Sequence, residues 1–162
     1  KTYRKGVFWR ELAIKIFNKS RQIQTNFIIR SSYSGHVSTL TGDPEKNRRE
    51  FVKNILNSDY TLIVRGDANA ATRFYETLSL GRIPVFIDTA CVLPLEDIID
   101  YKDFCVFIDY TDINKAPSIL ADFHKNITPD KFIAMQKQAR YIFRHYLRYD
   151  VFSEHLARIL KK

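Results

Sequence analysis

Five residues within a stretch of twelve could together bind a diphosphate and a ribose. Arg65 and Arg73 carry guanidinium groups, whose planar fork suits paired phosphate oxygens. Gly66 lets the backbone approach a ligand closely, and Asn69 could cap the following helix or contact the ligand itself. Glu76 lies one helical turn after Arg73 on nearly the same face, where its carboxylate would bind ribose or sugar hydroxyls. These residue types in this order predict a site for a nucleoside diphosphate.

The elements around these residues are predicted to form a βαβ unit. An apolar run at 60–64 precedes the first arginine, and a second at 83–87 follows Gly81, which ends a helical pattern over 70–80. Unpaired backbone N–H groups at the start of such a helix attract anions. Asp88 and Thr89 follow the second strand, at the sheet edge where ligands bind, and are candidates for the donor or acceptor side.

The rest of the chain continues the alternation of strands and helices. Asp43 and Thr128 each precede a proline and are predicted helix N-caps. Further predicted elements include helices at 7–17, 112–125 and 151–160 and strands at 26–30 and 104–108. We therefore predict an α/β, Rossmann-like fold with a mostly parallel sheet of four or five strands and helices on both faces.

Length and composition fit one folded domain, residues 1–162, with 45% hydrophobic residues. The net charge of +8 is concentrated at residues 1–58, which hold twelve Lys or Arg against four Asp or Glu. This excess would form solvated helix faces or attract ligand phosphates, an acidic acceptor or nucleic acid. No zinc-ligand spacing, Walker motif or dinucleotide fingerprint occurs, so we predict no metal and no cofactor.

Four short motifs in order resemble the exostosin-type glycosyltransferases. They are Arg65-Gly66, then RFYETL at 73–78, GRIPV at 81–85 and VLP at 92–94. The resemblance is to the C-terminal, nucleotide-sugar-binding half of the GT-B fold. That half normally opens with a strand before its first helix, and such a strand would here precede Lys1. Arg4 and Lys5 would then lie at the strand-to-helix turn as additional phosphate contacts.

The resemblance implies a glycosyltransferase donor domain, part of a larger two-domain enzyme of polysaccharide biosynthesis. It implies a nucleoside-diphosphate sugar as substrate, with UDP favoured over GDP, and transfer to a glycan or other hydroxyl acceptor, with inversion. The general base would come from an N-terminal GT-B domain, so the catalytic residues are unknown and the isolated chain is expected to be inactive. No nucleic-acid partner is expected. The compartment stays open: cytoplasm or membrane surface in a bacterium, Golgi lumen in a eukaryote.

Two alternatives remain at this point. A fucosyltransferase-like GT-B domain would have a similar motif, in which a helix is followed by Gly-x-x-Pro-Val, but it would bind a GDP-sugar. A non-enzymatic phosphate or polyanion binder would use the basic residues of the N-terminal third. Its binding would fall steeply with salt and would show no preference for a nucleotide.

Overall fold

A computed structural model describes residues 5–29, 43–66, 69 and 71–159. Within them the chain forms six α-helices and three β-strands. In chain order these are α1 (Lys5–Lys19), α2 (Pro44–Leu56), β1 (Tyr60–Ile63), α3 (Thr72–Ser79), β2 (Ile83–Asp88), β3 (Val106–Asp109), α4 (Ala116–Asn126), α5 (Pro129–Ile142) and α6 (Tyr149–Ile159). Short 3₁₀ segments cover Tyr101–Asp103 and Tyr110–Lys115, and a π turn covers Phe143–Leu147.

The sheet is parallel and has the order β1-β2-β3. Leu62 pairs with Val85, and Val85 with Val106, so the carboxyl ends of the three strands lie at one edge. The Rossmann-like α/β prediction is confirmed, with three strands among the described residues. The predicted strand at 26–30 is wrong over 26–29, which form no strand, and Arg30 lies outside the described residues.

Helices cover both faces of the sheet. The ring of Tyr60 contacts Phe123 of α4, whereas Phe86, paired with Ile63, contacts Phe74 of α3. Side chains alternate between faces along a strand, so α4 and α3 lie on opposite sides. Helix α1 packs with α4, and α5 packs with α3. The largest fully buried side chains lie between these layers, among them Phe74, Phe104, Ile63, Leu78, Ile83 and Ile108.

Both predicted helix caps are confirmed. The Asp43 carboxylate accepts a hydrogen bond from the Glu45 N–H at 2.9 Å, and the Thr128 hydroxyl accepts one from the Lys131 N–H at 3.2 Å. Each cap is followed by a proline in the first turn, where a missing N–H costs nothing. The two caps therefore fix the starts of α2 and α5.

None of the helices in the described part of the chain is both long and apolar enough to cross a bilayer.

Gly81 ends α3 and turns the chain into β2. Its φ of +62° lies in the left-handed region, and its N–H donates to the Leu78 carbonyl at 3.0 Å. A Cβ there would lie 3.4 Å from the Gln136 carbonyl oxygen and 3.5 Å from the Arg140 Cβ, both on α5. The glycine is thus needed mainly for its backbone conformation, which other residues adopt at a cost.

We expect Gly81→Ala to lower the free energy of unfolding by about 1–2 kcal/mol, the usual cost of a left-handed backbone. Gly81→Asn should lose less, because asparagine tolerates this region better than alanine. Urea denaturation of the three proteins measures both losses. An alanine variant as stable as the wild type would show that the turn relaxes into another conformation.

Candidate functional site

The predicted site residues that follow β1 and β2 lie together at the carboxyl edge of the sheet. Arg65 and Gly66 are the second and third residues after β1, Asp88 is the last residue of β2, and Thr89 follows it. Since the two strands are paired in register, the loops that leave them are neighbours. Arg4 lies outside the described residues, as does the side chain of Lys5, whose backbone begins α1.

Asn69 connects the two loops. Its side-chain amide donates to the carbonyl oxygens of Thr89 and Ala90, at 3.2 and 3.1 Å, and accepts from the Thr89 hydroxyl at 2.5 Å. The N-cap of α3 is Ala71, which makes no side-chain capping bond, so the first of the two roles predicted for Asn69 is wrong, and the second, contact with the ligand, stays a prediction. Asn69 instead fixes the loop after β1 against the loop after β2.

The loop after β2 has a strained backbone at the site. Ala90 has a φ of +57°, which is uncommon for a residue with a side chain. Its carbonyl is held by Asn69, and one residue on, the Cys91 N–H donates to the Asp88 carboxylate at 3.0 Å. Asp88 and Thr89 therefore shape this loop, and the side-chain bonds that they make are internal to the protein.

Arg65 is a half-buried cation at this edge. Its Nε is buried and has no hydrogen-bond partner among the described residues. Its positive charge lies close to the thiol of Cys91. Burial raises the pKa of that thiol, as do the carboxylates of Asp88 and Glu96, whereas the charge of Arg65 lowers it. A half-buried guanidinium with an unsatisfied donor is suited to bind an anionic ligand.

Arg73 and Glu76 face α2. The Glu76 carboxylate accepts from the Arg48 guanidinium at 2.8 Å, rather than pairing with the arginine one turn before it. The guanidinium carbon of Arg73 lies 5.3 Å from the centre of the Phe51 ring. Arg73 is exposed as a residue, but neighbouring atoms desolvate its guanidinium, and this lowers its pKa. The positive charge of Arg10 also lowers the pKa of Arg73, whereas the carboxylate of Glu76 raises it.

A cavity of about 580 Å³ runs along β1. Its walls come from β1, from segment 22–27, and from α1, α2 and α4, and Arg73 lines it as well. Arg73 thus borders this cavity, whereas Arg65 lies near the loop after β2. The two arginines therefore have different neighbours, and that both contact one diphosphate stays a prediction.

Sequence reasoning missed Arg48 and Phe51 as neighbours of the site. Their spacing of three places them on one face of α2, but nothing local indicates that this face meets Arg73 and Glu76. In the described part of the chain, no three His, Cys, Asp or Glu side chains are grouped as a metal site would require.

Comparison with known proteins gives one consistent result. The family profile described as the Exostosin GT47 domain matches residues 10–123. An "Exostosin-1 homolog" of Caenorhabditis elegans is 29% identical over 119 residues, covering 73% of this chain and 30% of that protein. A "Probable arabinosyltransferase ARAD1" of Arabidopsis thaliana is 28% identical over 105 residues, covering 65% of this chain and 23% of that protein.

A third relative, "Exostosin-1" of Drosophila melanogaster, is 29% identical over 102 residues, which is 63% of this chain and 13% of that protein. The chain therefore spans less than a third of the length of each of these three relatives.

We expect Asn69→Ala and Thr89→Val each to destabilise the protein, and the two losses not to add. Both variants remove the same hydrogen bond between the loops, so a double-mutant cycle should give a coupling of about 0.5–3 kcal/mol. Urea denaturation of the wild type, both single variants and the double variant measures it. Thr89→Ser keeps the hydroxyl and is the matched control. Additive losses would mean that the loops are not joined by this bond.

Proposed function

The chain belongs to the exostosin GT47 family, and from that premise we propose that it is the donor-binding domain of a glycosyltransferase. The observation that carries the proposal is the half-buried Arg65 guanidinium, with an unsatisfied Nε, at the carboxyl edge of a parallel sheet. Ligands of open α/β sheets bind at this edge. A sugar activated by a nucleoside diphosphate fits it by charge and position.

The proposed chemistry is transfer of the sugar to a hydroxyl acceptor with loss of the nucleoside diphosphate. As the bond between the sugar and the diphosphate breaks, negative charge grows on the leaving phosphate oxygens. Arg65 and Arg73 would stabilise that charge, and the backbone at Gly66 would approach the phosphates. Glu76 would bind the ribose hydroxyls through the carboxylate oxygen that does not contact Arg48, or through both oxygens once the contact with Arg48 is broken.

The general base that deprotonates the acceptor is assigned to a second, N-terminal GT-B domain, with inversion at the reacting carbon. Accordingly, this chain would bind the donor and not complete the transfer by itself. The proposed partners are the donor, a glycan acceptor and that second domain. UDP-sugars are proposed over GDP-sugars.

The cavity along β1 supports a further part of this proposal, that the sheet accepts another strand there. Within the described residues β1 pairs only with β2, and segment 22–27 faces it across the cavity without pairing. The Thr61 hydroxyl, which is buried at this wall, has no hydrogen-bond partner among the described residues. A parallel strand in this position would pair with the free side of β1.

Calorimetric titration with UDP, GDP and inorganic pyrophosphate tests donor binding. We expect saturable binding, with the highest affinity for UDP. Arg65→Ala should lower the affinity for all three ligands by about 10- to 100-fold, the change expected when hydrogen bonds to a charged group are lost. Glu76→Ala should weaken the binding of UDP and GDP, because only the nucleotides carry a ribose, but should not weaken the binding of pyrophosphate, since the lost carboxylate repels an anion.

Arg158→Ala is the matched control, since it removes one exposed positive charge on α6, a helix that contributes no residue to the cavity or to the candidate site. Equal binding of all three ligands, abolished by salt and weakened equally by the control, would identify a general polyanion surface instead. Tighter binding of GDP than UDP would favour a GDP-sugar donor.

Amide hydrogen exchange tests the open edge of β1. We expect alternate amides of Tyr60–Ile63 to exchange much faster than the amides of Val85–Ile87, since an edge strand leaves half its N–H groups without a strand partner. Full protection of every amide in β1 would contradict the proposal that a strand is accepted there.

A further inference from the structure

The ring of Phe51 on α2 is in contact with two arginine side chains. The guanidinium carbon of Arg48 is 5.6 Å from the ring centre and that of Arg73 is 5.3 Å from it. Both distances are within the range at which a cation is attracted to an aromatic ring. Phe51 of α2 therefore contacts Arg48 of its own helix and Arg73 of α3.

The two arginines differ in what else they bind. Arg48 donates to the Glu76 carboxylate at 2.8 Å, so part of its hydrogen-bonding capacity is used. Among the described residues, no carboxylate lies within ion-pair distance of Arg73, and Glu76 acts on it only as a nearby charge. A guanidinium has five N–H donors in its plane, and contact with a ring restrains the side chain without using any of them.

We propose that Phe51 is a positioning residue that holds the Arg73 guanidinium ready to bind an anionic group of the ligand. The inference rests on the proposed function, in which that group is the diphosphate of the donor. It extends the site from the βαβ unit to α2, a helix that contributes no residue to the predicted site. Arg48 plays the parallel part for the Glu76 carboxylate.

The electrostatic surroundings of Arg73 agree with this role. Arg10 of α1 is a second positive charge close enough to disfavour the charged form of Arg73, while Glu76 only partly offsets it. A cation held beside a like charge and without a carboxylate partner gains more from a bound anion than one already neutralised. A carboxylate at the position of Phe51 would neutralise Arg73, whereas the ring holds it charged and accessible.

The experiment compares Phe51→Leu with Phe51→Tyr by the same calorimetric titrations with UDP and pyrophosphate. Leucine keeps an apolar side chain at the helix contact but has no ring; tyrosine keeps the ring. We expect the leucine variant to bind both ligands about three- to tenfold more weakly, and the tyrosine variant to bind within about twofold of the wild type. Should the leucine variant fail to fold, Phe51→Met replaces it as the apolar variant without a ring.

Each variant is also made in an Arg73→Ala background. If Phe51 acts through Arg73, the leucine change should have no further effect on binding there, whatever it does to the free energy of unfolding. The same loss in both backgrounds, or equal binding by the leucine variant and the wild type, would overturn the inference and leave the proposed function intact. If the wild type binds neither UDP, GDP nor pyrophosphate, the proposed function fails and the inference falls with it.

Discussion

The parallel pairing of β1 with β2 is the constraint on which the candidate site depends. Two adjacent parallel strands must be joined by a crossover, which α3 supplies, and Gly81 allows the sharp return into β2. In this arrangement the carboxyl ends of both strands lie side by side. The loops that follow them can then be joined through Asn69 and Thr89, 20 residues apart in sequence. Without this register the site residues would not share an edge.

The three arginines near α3 differ in whether a carboxylate neutralises them, although Arg48 and Arg73 both contact the ring of Phe51. Arg65 is half-buried near Cys91, Arg73 lies on the ring of Phe51, and Arg48 is paired with the Glu76 carboxylate. Ring contact and partial burial both restrain a guanidinium without neutralising it, whereas the ion pair neutralises it. Two positive charges therefore remain for an anion, and the carboxylate that accompanies them is kept in place by the third.

Apolar runs, a turn glycine and helix caps in the sequence correctly predicted most of the elements around the site. The apolar runs at 60–64 and 83–87, the glycine between them, and the caps at Asp43 and Thr128 all match the structure. The apolar segment at 26–30 has an equally strand-like composition, yet 26–29 form no strand and Ile29 is 70% exposed. A strand needs a partner edge as well as a suitable sequence, and the edge is supplied by distant residues.

The amino-acid sequence was sufficient to predict the alternation of strands and helices, the turn at Gly81, the positive charge at the start of α3, and the family. These follow from periodicity, capping and short motifs, all of which act over a few residues. Two contacts became visible only once the chain was folded: Asn69 binds the loop after β2, and Glu76 pairs with Arg48, 28 residues before it. Such contacts depend on strand register and helix packing, which bring distant residues together, so no local pattern specifies them.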